Sequence, residues 1–307
     1  MSLSTTLLAA TGVMRVAGAD AQSFLQGQLS NDLRLLTPQT SLVAACNTPQ
    51  GRVIAIPRLV LRDADLLAIL PGDLVDRVIE RLRRYVLRSK VKLTNATDEF
   101  LAVGLFGAGL PGSVGLTLPS EPGMHTFDGT VSAVRLPGAT ARQLLLGPTA
   151  RMSSLLERLP PSLPDDEEWR LASIAAGEPQ IYAATSELFV AQMLNLDLIG
   201  ALSFSKGCYT GQEIIARTQH LGRIKRRMLR FRLPAAGYPQ RGDSITLAPG
   251  RSGRVVERAR DSAGHSEALV VVALLDEPAT SAPADMSAIA LPLPYDIPGA
   301  DRTTAEP

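Results

Sequence analysis

Cysteine, histidine and tryptophan are all scarce, with two, three and one in 307 residues. Cys46 and Cys208 are too few for a disulfide framework and lack C-x-x-C spacing. His125, His220 and His265 are scattered, so no local metal-ligand cluster is written into the chain. A stable iron–sulphur cluster held by this chain alone is therefore not expected. An excess of charge is missing too: 31 basic against 30 acidic residues give +1, which argues against direct nucleic-acid binding. No apolar run approaches the roughly 18 residues of a membrane span, and Ala268 to Leu275 suits a buried strand. The N-terminus has no basic region followed by an apolar stretch and a cleavage site, which points to the cytoplasm. What remains is 45% hydrophobic and 20% charged, enough over this length for two or three domains with their own cores.

Against that background, Lys206-Gly207-Cys208-Tyr209-Thr210-Gly211-Gln212-Glu213 is distinctive. Thr210 and Glu213 have the spacing of a capping box, with a helix expected through Ile214, Ile215 and Ala216 to about His220 and a stop at Gly222. Cys208 then stands two residues before a helix N-terminus, close to Lys206, and both influences favour a thiolate. The alternative is a buried cysteine acting as a small apolar filler.

Elsewhere, punctuation and periodicity divide the chain. Val53 to Arg62 and Asp65 to Leu70 read as strands. A helix with apolar positions at Leu74, Val75, Val78, Ile79, Leu82 and Val86 follows. Arg77, Arg81, Arg84 and Arg88 form one stripe on its other face, suited to an anionic partner or simply to solvent. Gly107 to Gly112 fits G-x-G-x-x-G after a strand-like run from Phe100 to Phe106. Pro111, Gly112, Gly115 and Pro119 leave no helix to complete a dinucleotide site, so none is expected. A helix opening on Asp165 to Glu168 carries Trp169 and should stop at Gly177. Strands over 228–233, 244–247, 254–259 and 268–275 suggest a small antiparallel barrel, with Arg241-Gly242-Asp243 as a turn. The cluster Arg223, Lys225, Arg226, Arg227 and Arg230 either attracts an anion towards Cys208 or pairs with acidic neighbours.

The octapeptide resembles the signature of the YgfZ folate-binding family, a relative of the glycine-cleavage T-protein linked to maintaining iron–sulphur enzymes. Gly18 to Ala21, Phe24 to Gln28 and Asp32 resemble its N-terminal block. Trp169 to Pro179, Asn195 to Asp197 and Phe204 to Arg227 resemble its central block, and Leu291 to Tyr295 its C-terminal one. The resemblance implies an α+β, T-protein-like folate-binding fold with a C-terminal antiparallel β-barrel. The expected division is a folate-type domain from 1–45 and 140–220, a second α/β lobe over 46–139, and the barrel over 221–307.

It further implies tetrahydrofolate or another folate as ligand, transient contact with iron–sulphur proteins or their assembly factors, and an indirect effect on tRNA modification, with the chain acting as a monomer. Cys208 is the expected working residue. Trp169 is the expected aromatic wall of a folate cleft also bordered by the Cys208 loop, with an anchor of the core as its alternative role. Gln26, Asn47 and Gln192 are candidate polar partners; Lys206 and Arg217 are candidates for the glutamate tail or the loop; Gly207, Tyr209 and Gln212 complete the loop. The T-protein's consecutive acids fall here on Ala55 and Ile56, and its pterin-anchoring glutamate on Ala175. Neither an alanine nor an isoleucine can move a proton, so aminomethyl transfer is not expected. A true aminomethyltransferase, and a folate-binding protein with a purely structural Cys208, are the competing readings.

Overall fold

Period-2 apolar patterning builds three five-stranded antiparallel sheets, described over residues 3–107, 115–220, 224–234, 238–274 and 288–298 of a computed structural model. Most of the Gly107–Gly112 motif, Gly222 and Arg223 lie outside the described residues.

The strands run as β1 (Ser4–Leu7), β2 (Thr11–Ala17), β3 (Leu42–Val43), β4 (Cys46–Asn47), β5 (Val53–Ala55), β6 (Arg58–Arg62), β7 (Asp65–Pro71) and β8 (Lys92–Asn95). They continue as β9 (Phe100–Phe106), β10 (His125–Phe127), β11 (Ser132–Leu136), β12 (Arg142–Pro148), β13 (Arg226–Leu233), β14 (Ser244–Ala248), β15 (Arg251–Arg260), β16 (Ser266–Ala273) and β17 (Ile289–Leu291). The first sheet has the order β3-β6-β7-β2-β8, the second β1-β9-β12-β11-β10, and the third β14-β15-β16-β13-β17; β4 and β5 pair separately. The third sheet curls into a half-barrel, and its four expected strands are extended by β17.

The run expected as one strand from Val53 to Arg62 is two. Pro57 has no N–H for a ladder, so β5 ends at Ala55 and β6 begins at Arg58. The sheets also divide the chain differently from the expected segments. The first spans 11–95, across the 45/46 junction, while β1 crosses over to pair with β9.

The first sheet is apolar on both sides. Val13, Val60, Leu67 and Ile69 face the second sheet, where Phe106, Leu136, Leu144 and Trp169 meet them. Met14, Val16, Leu59 and Leu66 face a larger core shared with helices α1 (Ala21–Gln26) and α2 (Val75–Arg83) and with the segment 174–215. Such alternation is what a strand buried on both faces requires. Helix α2 buries Val75, Val78, Ile79 and Leu82, as its period predicts. It ends at Arg83, however, so Arg84 and Arg88 do not continue a helical stripe. Arg77 pairs with Glu187, and Arg81 donates to the Asn47 carbonyl. Helix α3 (Thr149–Leu156) covers the outer face of the second sheet through Met152 and Leu155. Helix α4 (Glu167–Ala175) begins with its acidic residues and stops before Gly177, whose φ of +64° suits a glycine. Helix α5 (Gln212–His220) follows the cysteine loop.

Candidate functional site: a central cavity and a cysteine loop

The three sheets face one another across a cavity of about 170 Å³, and α4 sends Trp169 into its wall. The indole lies flat over Gly104, where a Cβ would come within 2.5 Å of the ring. It meets Phe106 edge-on at 5.8 Å and 73°. Trp169 is therefore both an anchor of the core and a wall of the cavity. Ile56 lines the same space, while Ala55 is fully buried opposite Cys46.

Three residues not singled out in the sequence organise this cavity. Glu178 accepts from Arg58 at 2.8 Å and from Arg142 at 2.6 Å, one guanidinium on each carboxylate oxygen. Arg142 is fully buried, stands 5.3 Å from the Trp169 ring and also donates to Ser173 and the Pro137 carbonyl. Burial pulls both guanidiniums below their ordinary pKa, and Glu178 opposes that shift. Two guanidiniums on one carboxylate give charge-assisted hydrogen bonds in a low-dielectric setting, the kind of partner a buried charge requires. A signal existed: Arg142 opens β12 just ahead of the apolar run Leu144 to Leu146, and a charge on a buried strand needs a partner. At the cavity's far side, Arg170 binds Asp166 and Glu167 on its own helix, and Glu257 of β15 holds Arg241 over the Tyr182 ring. This network joins α4 to the third sheet. Burial, reinforced by the Glu257 charge, pushes the Tyr182 phenol well above its ordinary pKa.

The cysteine loop is built separately. Lys206 is buried, and its Nζ donates to the carbonyls of Gln26 (2.6 Å), Leu29 (2.7 Å) and Asn31 (2.7 Å). All three protons are used by backbone, so Lys206 is a tie for the 26–31 loop rather than a free cation for a glutamate tail. Burial brings its pKa down to about 8 against the pull of Asp32. Gln26 is engaged as well, donating to Asp32 and accepting from the Leu33 N–H. The expected capping box does not form, because α5 begins at Gln212. The Gln212 side chain accepts from the Tyr209 N–H, and the Thr210 hydroxyl instead contacts Gln28.

Gly211, at φ +85°, lies against the Thr48 carbonyl and Gly51, where any side chain would collide with the backbone. That contact locks the β4–β5 turn to the loop. Gly207 has open space around it, and Cys208 is exposed, which removes the buried-filler alternative. Cys46, by contrast, is buried, and desolvation pushes its thiol up to about 11.

Asn47, Gln192 and Tyr209 are buried around the loop. Gln192 donates to the Ile215 carbonyl, yet its Oε1, Asn47 Oδ1 and the Tyr209 hydroxyl have no protein partner. Burial raises the Tyr209 phenol to about 12. Arg217 is exposed on α5. The structure thus gathers Lys206, Gly207, Cys208, Tyr209, Gln212, Gln26, Asn47 and Gln192 about one loop. It does not bring Trp169 to them: no residue of 206–212 lines the Trp169 cavity.

No protein-family model matches the chain. A protein of Colwellia psychrerythraea named tRNA-modifying protein YgfZ is 31% identical over 218 residues, covering 70% of this chain and 67% of that one. Among solved structures, glycine cleavage system aminomethyltransferase T from Bartonella henselae has the same fold, with a TM-score of 0.66 and 14% identity over 89% of this chain and 78% of its own. Such identity over two thirds of both sequences, on a T-protein-like framework, places this chain in the YgfZ family.

Proposed function

We propose that this is a cytoplasmic, monomeric folate-binding factor that supports iron–sulphur enzymes through Cys208, and through them tRNA modification. The observation that carries the folate part is the pairing of Trp169 and Glu178 on one cavity. The residues fit a pterin. Trp169, Ile56 and Leu70 supply flat and apolar walls, and each Glu178 oxygen retains a lone pair beyond its arginine contact. Glu178, three residues beyond Ala175, is then the carboxylate that orients the ring. About 170 Å³ is small beside the roughly 300–1,000 Å³ of a typical ligand pocket, which suits the bicyclic ring and leaves the p-aminobenzoyl-glutamate part towards the mouth. Ile56 on the wall offers no proton acceptor, in keeping with binding without aminomethyl transfer.

The iron–sulphur part rests on Cys208 being exposed on a glycine-flanked loop that the Lys206 tie holds in place. A thiol so presented can exchange with a partner's disulfide or ligate iron briefly. The name of the Colwellia relative supports the link to tRNA modification.

Tetrahydrofolate titration tests the first part, since Trp169 is the sole indole reporter. A saturable change in its emission is expected, with Trp169→Phe weakening the heat of binding modestly. No saturable emission change and no calorimetric heat would overturn it. For Cys208, the variant Cys208→Ala should keep folate affinity and lose support of iron–sulphur enzymes in a deletion strain. Full complementation by that variant would leave the thiol without a role.

A further inference from the structure

Two adjoining cavities, of about 400 and about 700 Å³, open between the β4–β5 turn and the third sheet. They share Arg52, Leu188 and Arg254, and the smaller adds Arg226 and Arg251. Among the described residues none of these four arginines is paired with a carboxylate. Their neighbours on β13 behave differently: Arg227 holds Asp197 and Arg230 holds Glu267. The one acidic residue in the lining, Glu187, is taken by Arg77.

Arg52 and Arg254 each commit one nitrogen to a backbone carbonyl, of Leu188 at 2.8 Å and of Gly242 at 3.0 Å. The rest of each guanidinium remains available. Arg251 stands 5.8 Å from the Phe231 ring, and its Nε is buried without a partner. Four like charges converging on a concave, partly low-dielectric surface repel one another and raise a strong positive field. An anion relieves that repulsion.

The lining indicates which anion. Leu188, Met193 and Ala273 supply an apolar floor between the arginines. Phe189, the only ring in the lining, is 2% exposed and offers no open face. Sites for single-stranded nucleic acid combine cations with rings on which bases stack, and that element is missing here. Carboxylates with apolar side chains between them match the surface better. Thr48 and Gln50 of the same turn line the larger cavity, and Gly51, the next residue along, abuts Gly211 and Ile214. The cleft therefore opens beside the loop that presents Cys208.

We propose that this four-arginine cleft docks an acidic segment of a partner protein, its carboxylates on Arg52, Arg226, Arg251 and Arg254, and holds that partner next to Cys208. The consequence for Cys208 rests on the proposed function; the docking itself does not. Fluorescence anisotropy with a fluorescein-labelled peptide of alternating Glu and Leu tests it on the full chain. Saturable binding that weakens with salt is expected. The double variant Arg226→Glu, Arg251→Glu should lower affinity at least tenfold while leaving the melting temperature and the tetrahydrofolate titration unchanged. A matching Lys-Leu peptide should bind that variant and not the unaltered chain. The proposal is overturned by absence of saturable binding, by equal binding to the double variant, or by tighter binding of a single-stranded RNA of the same length. Folate binding is read separately, so either idea can fail without the other.

Discussion

Cations in the interior and cations at the outer cleft obey opposite rules. Inside, Arg142 and Arg227 are almost fully buried and each meets a carboxylate with well-placed hydrogen bonds, while Lys206 meets three carbonyls. At the cleft, Arg52, Arg226, Arg251 and Arg254 meet no carboxylate among the described residues. Desolvation explains the first set: a buried charge persists only where partners replace its water. In the second set Arg52, Arg226 and Arg254 are exposed and Arg251 is half-buried, so their water can be exchanged for a ligand. Adjacent residues on β13 divide between the two classes, since Arg226 points outward and Arg227 inward. The basic cluster of that strand therefore does two jobs.

The largest expected effect would sharpen this contrast. Arg227→Met strands Asp197, itself nearly buried, and should cost about 3–5 kcal/mol of stability in urea unfolding. Arg226→Ala, one residue away and exposed, should stay within about 0.5 kcal/mol. Similar costs for the two would break the distinction.

Next comes the buried Cys46. Its folded pKa of about 11 lies above that of a free thiol, so the folded state holds the proton while the unfolded chain releases it. Stability should therefore fall as pH rises from about 9 to about 11, by about 2–3 kcal/mol from this residue. Cys46→Ala should flatten that part of the pH profile relative to the unaltered protein, as read by denaturant midpoints. An identical alkaline slope in both would remove the assignment.

The same pair of cysteines gives a kinetic comparison. In the folded protein at neutral pH, limited iodoacetamide treatment should label exposed Cys208 well before Cys46, and mass spectrometry reads the ratio. Equal labelling would mean that the interior is open to reagent. The smallest expected effect is none at all. Given a lipoyl-bound aminomethyl donor and tetrahydrofolate, the protein should form no methylenetetrahydrofolate above background, because Ala55 and Ile56 carry no carboxylate. Protein-dependent turnover would contradict that.

Local order was legible in the sequence because its causes are local. Period-2 runs marked β9, β13, β14, β15 and β16, period-3.6 spacing marked α2, and Gly177 marked the end of α4. The 206–213 motif carries the resemblance to the family in the sequence itself. Where Pro57, lacking an N–H, split a strand, and where the Gln212 side chain rather than Glu213 reached back from the helix, the hydrogen bonding of a single residue outweighed the pattern.

Tertiary structure alone decided what the charges do. Lys206 reads as a cation beside a cysteine, but its Nζ is bound to the Gln26 carbonyl 180 residues away. Arg58 and Glu178 meet across 120 residues, and Arg52 and Arg254 share a wall only because the third sheet folds against the β4–β5 turn. Periodicity tells which way a side chain faces; it does not tell what stands opposite. A charge acquires its role from the partner that packing brings to it, or fails to bring.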